Sequence, residues 1–291
     1  MGKQYSWSKD IQSTAILDCS RRLRFNDRNK QFWFDLIGVK DGMRVLEVGC
    51  GSGHFLQMLK KNFDIEAYGV DLDAGHIEYA KQSASQNGLD INFQVADIRN
   101  LPIDDNYFDI VYSYTVVEHL PFEDFILEQK RILKSGGKVL MMTVEAKQQA
   151  ASEYDYMDEE IYAYFDGVVI DKPDNIGIYS PKPKDKLLGL NKYDFENIKV
   201  EFKNLLYYCP DNYFDDVEFG LFEIDMARLS TIADAEFVLS HSTKDTKEAD
   251  LCACVGNINK KFEKRKELFL SKTQVCDYQT TAVCAISGIK K

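Results

Sequence analysis

Residues 45–54, VLEVGCGSGH, carry the clearest structural signal in this chain of 291 residues. Its first four residues form a short, mostly apolar strand pattern, and apolar residues at helical spacing follow from Phe55. Between the two lie three glycines in G-x-G-x-G order, Gly49, Gly51 and Gly53. Glycines that join a strand to a helix let a ligand approach the backbone, and the helix N-terminus presents N–H groups to it. The stretch therefore predicts the start of an α/β domain with a ligand-binding loop.

The alternation of strand and helix patterns continues along the chain and predicts a parallel sheet. Six further strands are expected over residues 67–70, 91–95, 108–114, 139–144, 193–202 and 275–286. Strands separated by helices form right-handed crossovers, so their carboxyl ends share one edge, where ligands of open α/β sheets bind. The predicted fold class is α/β, with a doubly wound, mostly parallel, seven-stranded sheet of Rossmann-like type and helical lid insertions.

Turn residues mark the expected ends of two helices in this region. Asp73 is a good cap for a helix that stops at Asn87-Gly88. A second helix is expected over residues 122–133, and the Ser-Gly-Gly segment at 135–137 is expected to end it.

The glycine spacing indicates which kind of nucleotide the loop binds. A dinucleotide fingerprint, G-x-G-x-x-G, would need its last glycine at position 54, where this chain has His54. A carboxylate, Glu47, precedes the glycines by two residues. A carboxylate close to the loop suits an ammonium or sulfonium ligand better than a pyrophosphate.

Five segments, taken in order and spacing, resemble the class I S-adenosylmethionine (SAM)-dependent methyltransferases of the type-11, UbiE-like kind. They are VLEVGCGSG (45–53), GVDLD (69–73), VADIRNLP (95–102), FDIVYSYTVVEHL (108–120) and LKSGGKVLM (133–141). The resemblance covers about residues 40–145, and it departs from the family pattern at Ser135, where proline is usual. It implies SAM as cofactor, with S-adenosylhomocysteine as its product.

The resemblance also implies a set of cofactor-binding residues. These are Glu47, Gly49, Cys50, Gly51, Asp71, Leu72, Asp97, Ile98 and Tyr114. The loop glycines would contact the methionine part of SAM, Asp71 would hold both ribose hydroxyls and Leu72 would pack on adenine. Asp97 would accept a hydrogen bond from the adenine amino group, the Ile98 backbone would meet the ring, and Tyr114 would lie near the sulfonium. Each signal also has a purely structural explanation, since glycines form turns and aspartates cap helices.

His119 is the candidate catalytic residue. It follows Glu118 just beyond the fourth predicted strand, and an imidazole there is suited to take a proton from a hydroxyl or amine. The alternative is a histidine that hydrogen-bonds the backbone at a helix start. Glu118 is expected to support structure, and His54 and His76 are expected on helix surfaces.

The regions outside the resemblance suggest a modular arrangement. The predicted parts are an N-terminal helical cover (1–40), a SAM-binding core (41–146), a lid insertion (147–192), the last core strands (193–208 and 271–291) and a helical insertion (209–270). Additions of this kind normally cover the cofactor and shape the acceptor pocket.

The lid insertion contains an acidic, tyrosine-rich tract, Tyr154–Phe165. Six acids stand against the single Lys147 across residues 147–170. Tyrosine faces and carboxylates attract cations, so the tract favours a basic or amine-containing acceptor. The alternative is that the tract forms an amphipathic helix that lies in solvent, or one that pairs with the arginines at 21, 22 and 24.

Composition sets the remaining expectations. A net charge of -11 argues against a nucleic-acid surface, which needs clustered Lys and Arg to neutralise phosphates. No metal-ligand set, secretory signal or membrane-length apolar run stands out in the sequence. Seven scattered cysteines without C-x-x-C spacing indicate reduced thiols and a cytoplasmic protein.

The sequence thus predicts a SAM-dependent methyltransferase that acts on a small molecule, without a membrane span. Its alternatives are a peptide or RNA methyltransferase, a nicotinamide-dependent dehydrogenase and a non-catalytic SAM-binding protein. The identity of the acceptor atom and the oligomeric state stay open at this level.

Overall fold

The computed structural model describes residues 6–150, 163–165, 168 and 179–291. Its strands are β1 (Arg44–Val48), β2 (Glu66–Asp71), β3 (Asn92–Val95), β4 (Phe108–Tyr114), β5 (Leu133–Ala150), β6 (Phe195–Tyr208) and β7 (Tyr278–Lys290). Its helices are α1 (Trp7–Asp10), α2 (Thr14–Arg24), α3 (Lys30–Ile37), α4 (His54–Asn62), α5 (Ala74–Gln86), α6 (Phe122–Ile132), α7 (Pro183–Lys192), α8 (Val217–Ser240) and α9 (Lys247–Leu270).

The strands form one seven-stranded sheet in the order β3-β2-β1-β4-β5-β7-β6. β1 pairs in parallel with β2 on one side and with β4 on the other, and the order reverses between β1 and β4. This confirms the predicted mostly parallel α/β sheet. A reversal of this kind opens a crevice at the carboxyl ends of the two strands, which is where the glycine loop begins.

A continuous apolar core explains why β1, β4 and β5 lie in the middle of the sheet. Their inward residues are almost fully buried and belong to one cluster with side chains of α6 and α7. Strands with such unbroken apolar runs are stable only where helices cover the sheet.

The Ser-Gly-Gly segment at 135–137 does not end a helix, as the sequence suggested. α6 ends at Ile132, and β5 begins at once with Leu133. Leu133 pairs with Phe108 and Lys138 pairs with Ile110, so β5 advances five residues while β4 advances two. The extra residues form a bulge, which Gly136 permits through its left-handed φ of 78°.

Residues Phe25–Ala146, Pro173–Leu205 and Ala282–Lys291 form one compact unit, the sheet unit. It contains α3, α4, α5, α6 and α7, with most of the sheet. Residues 25–40 therefore group with the sheet and not with the first helices.

Residues Met1–Arg24, Lys147–Lys172 and Leu206–Thr281 form a second unit, the helical unit. α8 and α9 pack together around a small apolar cluster that includes Ile224 and Phe262. No helix in the described part of the chain has the length and apolar composition needed to cross a membrane.

A buried ion network ties distant segments of the helical unit together. The Arg265 guanidinium on α9 donates to Asp211 at 2.6 Å and to Asp277 at 2.8 Å, and all three side chains are buried. Asp211 also accepts the backbone N–H groups of Val275 and Cys276. Such hydrogen bonding offsets the large cost of removing these charges from water.

Candidate active site

The glycine loop adopts a backbone that side chains would disturb. Gly49, Gly51 and Gly53 have φ values of 67°, 52° and 71°, a left-handed region that favours glycine. A Cβ on Gly49 would lie 2.4 Å from a methyl carbon of Val116, because the loop that follows β4 packs directly against Gly49. The glycines therefore bring the loop against its neighbours, and the loop is held there by the N–H of Cys50, which donates to the Val70 carbonyl at 3.0 Å, and by the N–H of Gly53, which donates to the Cys50 carbonyl at 2.8 Å.

A buried carboxylate lies directly beneath this loop. Glu47 on β1 is 3% exposed, and the Tyr112 hydroxyl on β4 donates to its Oε2 at 3.2 Å. Burial and the neighbouring Glu47 raise the pKa of Tyr112 well above its ordinary value, so the phenol keeps its proton. Burial, with Asp71 and Glu47 nearby, likewise raises the pKa of the Cys50 thiol. The Tyr112 phenol and the Cys50 thiol therefore stay protonated beside these carboxyl groups.

Asp71, the last residue of β2, is fixed by two backbone donors. Its Oδ2 accepts the N–H of Gly51 at 2.9 Å, and its Oδ1 accepts the N–H of Asp73 at 2.9 Å. A carboxylate has about four lone-pair sites, so capacity remains for two hydroxyls of a ribose. Asp73 caps α5 as expected, accepting from the N–H groups of Gly75 and His76.

His76 is buried and not on a helix surface, which corrects the expectation from sequence. It is 2% exposed, and its Nδ1 lies 3.9 Å from Asp71 Oδ1. The reason is its place in the first turn of α5, where the cap turns the side chain back toward the end of β2. Leu72 behaves oppositely: it is 70% exposed, an apolar surface beside Asp71 that suits a flat ring.

Asp97, the third acidic residue predicted at this edge, is bound by the side chain of Arg99. Arg99 donates from Nη2 to Asp97 Oδ2 at 2.6 Å and from Nε to Oδ1 at 2.9 Å. These hydrogen bonds lower the pKa of Asp97, so the carboxylate stays ionised. The adjacent Ile98 carbonyl accepts from Gln129 Nε2 at 3.2 Å, which fixes the backbone there.

Tyr114 ends β4 inside an aromatic cluster. Its ring centroid lies 5.4 Å from that of Phe25 and 5.7 Å from that of Trp33, edge to face, and Phe55 stacks on Phe25 at 3.9 Å. The next residue, Thr115, has a φ of 57°, which turns the chain sharply away from the strand. Sequence reasoning missed Phe25 and Trp33 as neighbours of this position, although their aromatic spacing was visible.

His119 lies in a single 3₁₀ turn, Val117–His119, that follows the Thr115 bend. Its backbone N–H donates to the Val116 carbonyl at 3.0 Å. Burial lowers the pKa of the imidazole below its ordinary value, so the neutral form, which accepts a proton, is favoured at neutral pH. The turn is therefore held in place by the same residue, Val116, that approaches Gly49.

Lys186 is a further polar residue at this edge that sequence reasoning missed. It lies on α7 and is 2% exposed, and its Nζ donates to Thr143 Oγ1 on β5 at 3.1 Å. Burial lowers its pKa, while the carboxylates of Glu118 and Glu145 oppose that shift. Its position four residues before the buried Leu190 was the available signal, because both lie on one helix face.

Strand register brings these groups to one edge of the sheet. Val48 pairs with Val70 and with Ser113, and Asp71 pairs with Val95. The ends of β1, β2, β3 and β4 are thus level, and the predicted cofactor residues lie in the loops just beyond them. These residues fit three parts of SAM. The loop with the left-handed glycines suits the carboxylate, the buried Glu47 suits the amino group and the fixed Asp71 suits the ribose.

Comparison with known proteins agrees with this geometry. Residues 46–141 match the family model described as a methyltransferase domain. Phosphoethanolamine N-methyltransferase 3 of Arabidopsis thaliana is 34% identical over 116 residues, which is 40% of this chain and 24% of that protein. Ubiquinone biosynthesis O-methyltransferase of Coxiella burnetii is 36% identical over 104 residues, 35% of this chain and 44% of that protein. The chain thus spans only 24% and 44% of the lengths of these two relatives.

A solved structure shares the fold over nearly the whole chain. It is phosphoethanolamine N-methyltransferase 2 of Haemonchus contortus in complex with S-adenosyl-L-methionine. The TM-score is 0.55 at 16% identity, and the match covers 98% of this chain and 59% of that one.

Proposed function

We propose that this chain, whose residues 46–141 match the methyltransferase-domain family model, is a SAM-dependent methyltransferase that transfers a methyl group from SAM to an amine on a small molecule. The observation that supports this most directly is the left-handed glycine loop between two carboxylates, Glu47 beneath it and Asp71 bonded to it. The start of α4, which follows the loop at His54, suits a carboxylate, and the acids suit an ammonium and two hydroxyls.

When bound, SAM would supply a methyl group on a positively charged sulfur. An acceptor lone pair would attack the methyl carbon in line while the carbon–sulfur bond breaks and S-adenosylhomocysteine leaves. The protein's task is then to align the acceptor and to exclude water. The proposed cofactor contacts are the loop residues Gly49, Cys50 and Gly51 with Glu47. Further along the edge, the proposed contacts are Asp71, Leu72, Asp97, Ile98 and Tyr114. The buried aromatic cluster around Tyr114 would keep water from the reacting centre.

His119 is proposed as the general base. Its lowered pKa keeps the imidazole neutral, and the turn that bears it follows β4 directly. A neutral imidazole takes a proton from an ammonium before attack, or from the methylated ammonium product after it.

An oxygen acceptor is the second candidate, because the same neutral imidazole is able to take the proton of a phenol. The two relatives described above divide in the same way, one named as an N-methyltransferase and the other as an O-methyltransferase. The acidic tract Tyr154–Phe165, which favours the amine, lies outside the described residues except for its last three.

The predicted lid insertion, residues 147–192, lies outside the described residues at 151–162, 166–167 and 169–178. Two broader features are part of the proposal. A cytoplasmic location and a small-molecule partner, rather than a nucleic acid, are supported by the net charge of -11 and by seven cysteines that are all free thiols.

Ligand-dependent thermal unfolding tests the cofactor. SAM and S-adenosylhomocysteine should raise the unfolding temperature and NAD should not, because binding to the folded state alone adds about 2.7 kcal/mol at 100 times the dissociation constant. Transfer of a labelled methyl group to a panel of amines and phenols then tests the reaction. Stabilisation by NAD alone would contradict the cofactor, and transfer only to RNA or peptide would contradict the acceptor class.

A further inference from the structure

The edge strand β6 exposes apolar side chains where most of the sheet is covered. β6 is the last strand in the sheet order, and β7 is its neighbour within the described part of the chain. Ile198 packs against the core cluster of the sheet unit, while Val200 and Phe202 on the same face are 37% and 63% exposed. An exposed strand edge presents unpaired backbone donors and acceptors to another chain.

The residues on the other face of β6 are charged and alternate in sign. Lys199, Glu201 and Lys203 follow one another at every second position. Glu201 and Lys203 form an exposed ion pair at 3.5 Å, which contributes little to stability and is easily exchanged.

The segment 198–202, IKVEF, is complementary to itself when two copies run antiparallel about Val200. Ile198 then lies opposite Phe202, Lys199 opposite Glu201, and Val200 opposite its own copy. Every facing pair is apolar with apolar or positive with negative, and such cross-strand pairs are the favourable ones.

Nearby registers lack this match. A pairing centred on Glu201 would place Glu201 opposite its copy and Lys199 opposite Lys203. A pairing centred on Lys199 would place two lysines face to face. Like charges directly opposite one another are destabilising, so the charges select the register about Val200.

We propose that a second copy of this chain pairs with β6 in that register and continues the sheet across a two-fold axis. The charge pattern carries this inference, because it makes one strand its own complement. The contact is a single strand pair with a short apolar stripe, so the dimer is expected to be weak and concentration-dependent.

Charge reversal provides the first test. Sedimentation equilibrium between about 1 and 200 µM should show a species of twice the 33.4 kDa chain mass at the upper end. Lys199→Glu and Glu201→Lys should each lower the association constant by at least about tenfold, because each places like charges opposite one another. The double variant should restore association, since it exchanges the two charges.

A cysteine at the centre of the register provides a second test, in a Cys252→Ser, Cys276→Ser background that removes the two exposed thiols. Val200→Cys should form an intermolecular disulfide under mild oxidation, because directly opposed residues lie about 4.5–5.5 Å apart. Ile198→Cys is the matched control. Its copies would be four residues out of step, about 13 Å apart along the strands, and should not cross-link.

The outcomes separate clearly. A monomer at every concentration overturns the proposal, and so does a dimer that the single charge reversals leave unchanged, or equal cross-linking at positions 198 and 200. Loss of association in the single variants, its recovery in the double variant and cross-linking at position 200 alone support it. Unfolding temperatures within about 2 °C of the parent confirm that the variants are folded.

Discussion

The backbone N–H of Gly51 donates to the carboxylate of Asp71 at 2.9 Å, so the glycine loop after β1 is tied to the end of β2. One acidic side chain therefore positions the loop and also faces the space where a ribose would lie. Loop geometry and cofactor affinity are expected to change together when Asp71 is altered.

Asp71→Ala should weaken SAM binding by about 10- to 100-fold, because charge-assisted hydrogen bonds contribute roughly 1.5–3 kcal/mol. Isothermal titration calorimetry measures the change. Asp104→Ala, which removes an exposed acid, is the matched control and should bind SAM normally. Unchanged affinity in a folded Asp71→Ala protein would contradict the ribose assignment.

Gly49→Ala should lower both SAM affinity and the unfolding temperature, since the added methyl would meet Val116 at 2.4 Å in a left-handed backbone. Gly88→Ala separates the two effects, because Gly88 has a φ of 65° but open space around its Cβ position. Gly88→Ala should therefore lower the free energy of unfolding only through the strained left-handed backbone, by about 1 kcal/mol. Adding Val116→Ala to Gly49→Ala should recover part of the loss. If the two glycine variants lose equal stability, the contact with Val116 is unimportant.

His119→Ala should leave SAM affinity within about twofold and lower turnover by about 10²–10⁴-fold, the usual contribution of a general base. In the parent protein, activity should fall as pH drops through the pKa of His119, which burial places below the ordinary value near 6.5. His119→Ala should lose that acidic limb. Full turnover in the variant, measured with labelled SAM, would leave His119 with a structural role only.

Lys186→Met should reduce methyl transfer while SAM affinity stays within about twofold. The ammonium contacts Thr143, which lies on β5 one residue past the Met142–Tyr114 pair, and is close to Glu118, so its loss changes the polar surroundings of the acceptor side. Lys184→Met, on the exposed side of α7, should behave like the parent protein. A split between catalytic rate and cofactor affinity, determined by steady-state kinetics and calorimetry, checks this expectation. Equal loss of both would place Lys186 in the scaffold.

Glu223 should make the stability of the helical unit depend on pH. Burial raises its pKa to about 8, although its Oε2 accepts the Cys209 N–H at 2.8 Å. The folded protein therefore keeps a proton that the unfolded chain loses near pH 4.3, so this contribution is full below that pH and is lost as pH rises through about 8.

Glu223→Gln, which stays neutral, should show a shallower loss of unfolding temperature between pH 6 and pH 9. The difference from the parent protein at pH 9 should be roughly 2–4 °C for each kcal/mol removed. Glu236→Gln, an exposed site on the same helix, should follow the parent curve. A parallel decline in both variants would show that another group is responsible.

The sheet and its ligand edge were predictable because periodicity and glycine spacing are local signals. The G-x-G-x-G loop, the cap at Asp73 and the strand ends at Asp71 and Tyr114 all follow from neighbouring residues. The buried place of His76 and that of Lys186 did not, because both depend on which helix face meets the sheet. The bulge at 135–137 was also hidden, since glycines that end a helix and glycines that leave a strand look alike in sequence.

The packing of α2 against α8 has a consequence for the order in which the protein folds. Ile16 on α2 forms a cluster with Ala233 and Phe237 on α8, so about 200 residues must be synthesised before the partner helix exists. At about 5–20 residues per second the first helices wait roughly 10–40 seconds on the ribosome with their apolar faces uncovered. Strands β1 to β5 can pair during that interval, whereas β7, which lies between β5 and β6 in the sheet, is synthesised only after α8. Early helices of this kind are natural clients for chaperones, and a shortened α2 should give a chain that begins its folding normally and fails at the end.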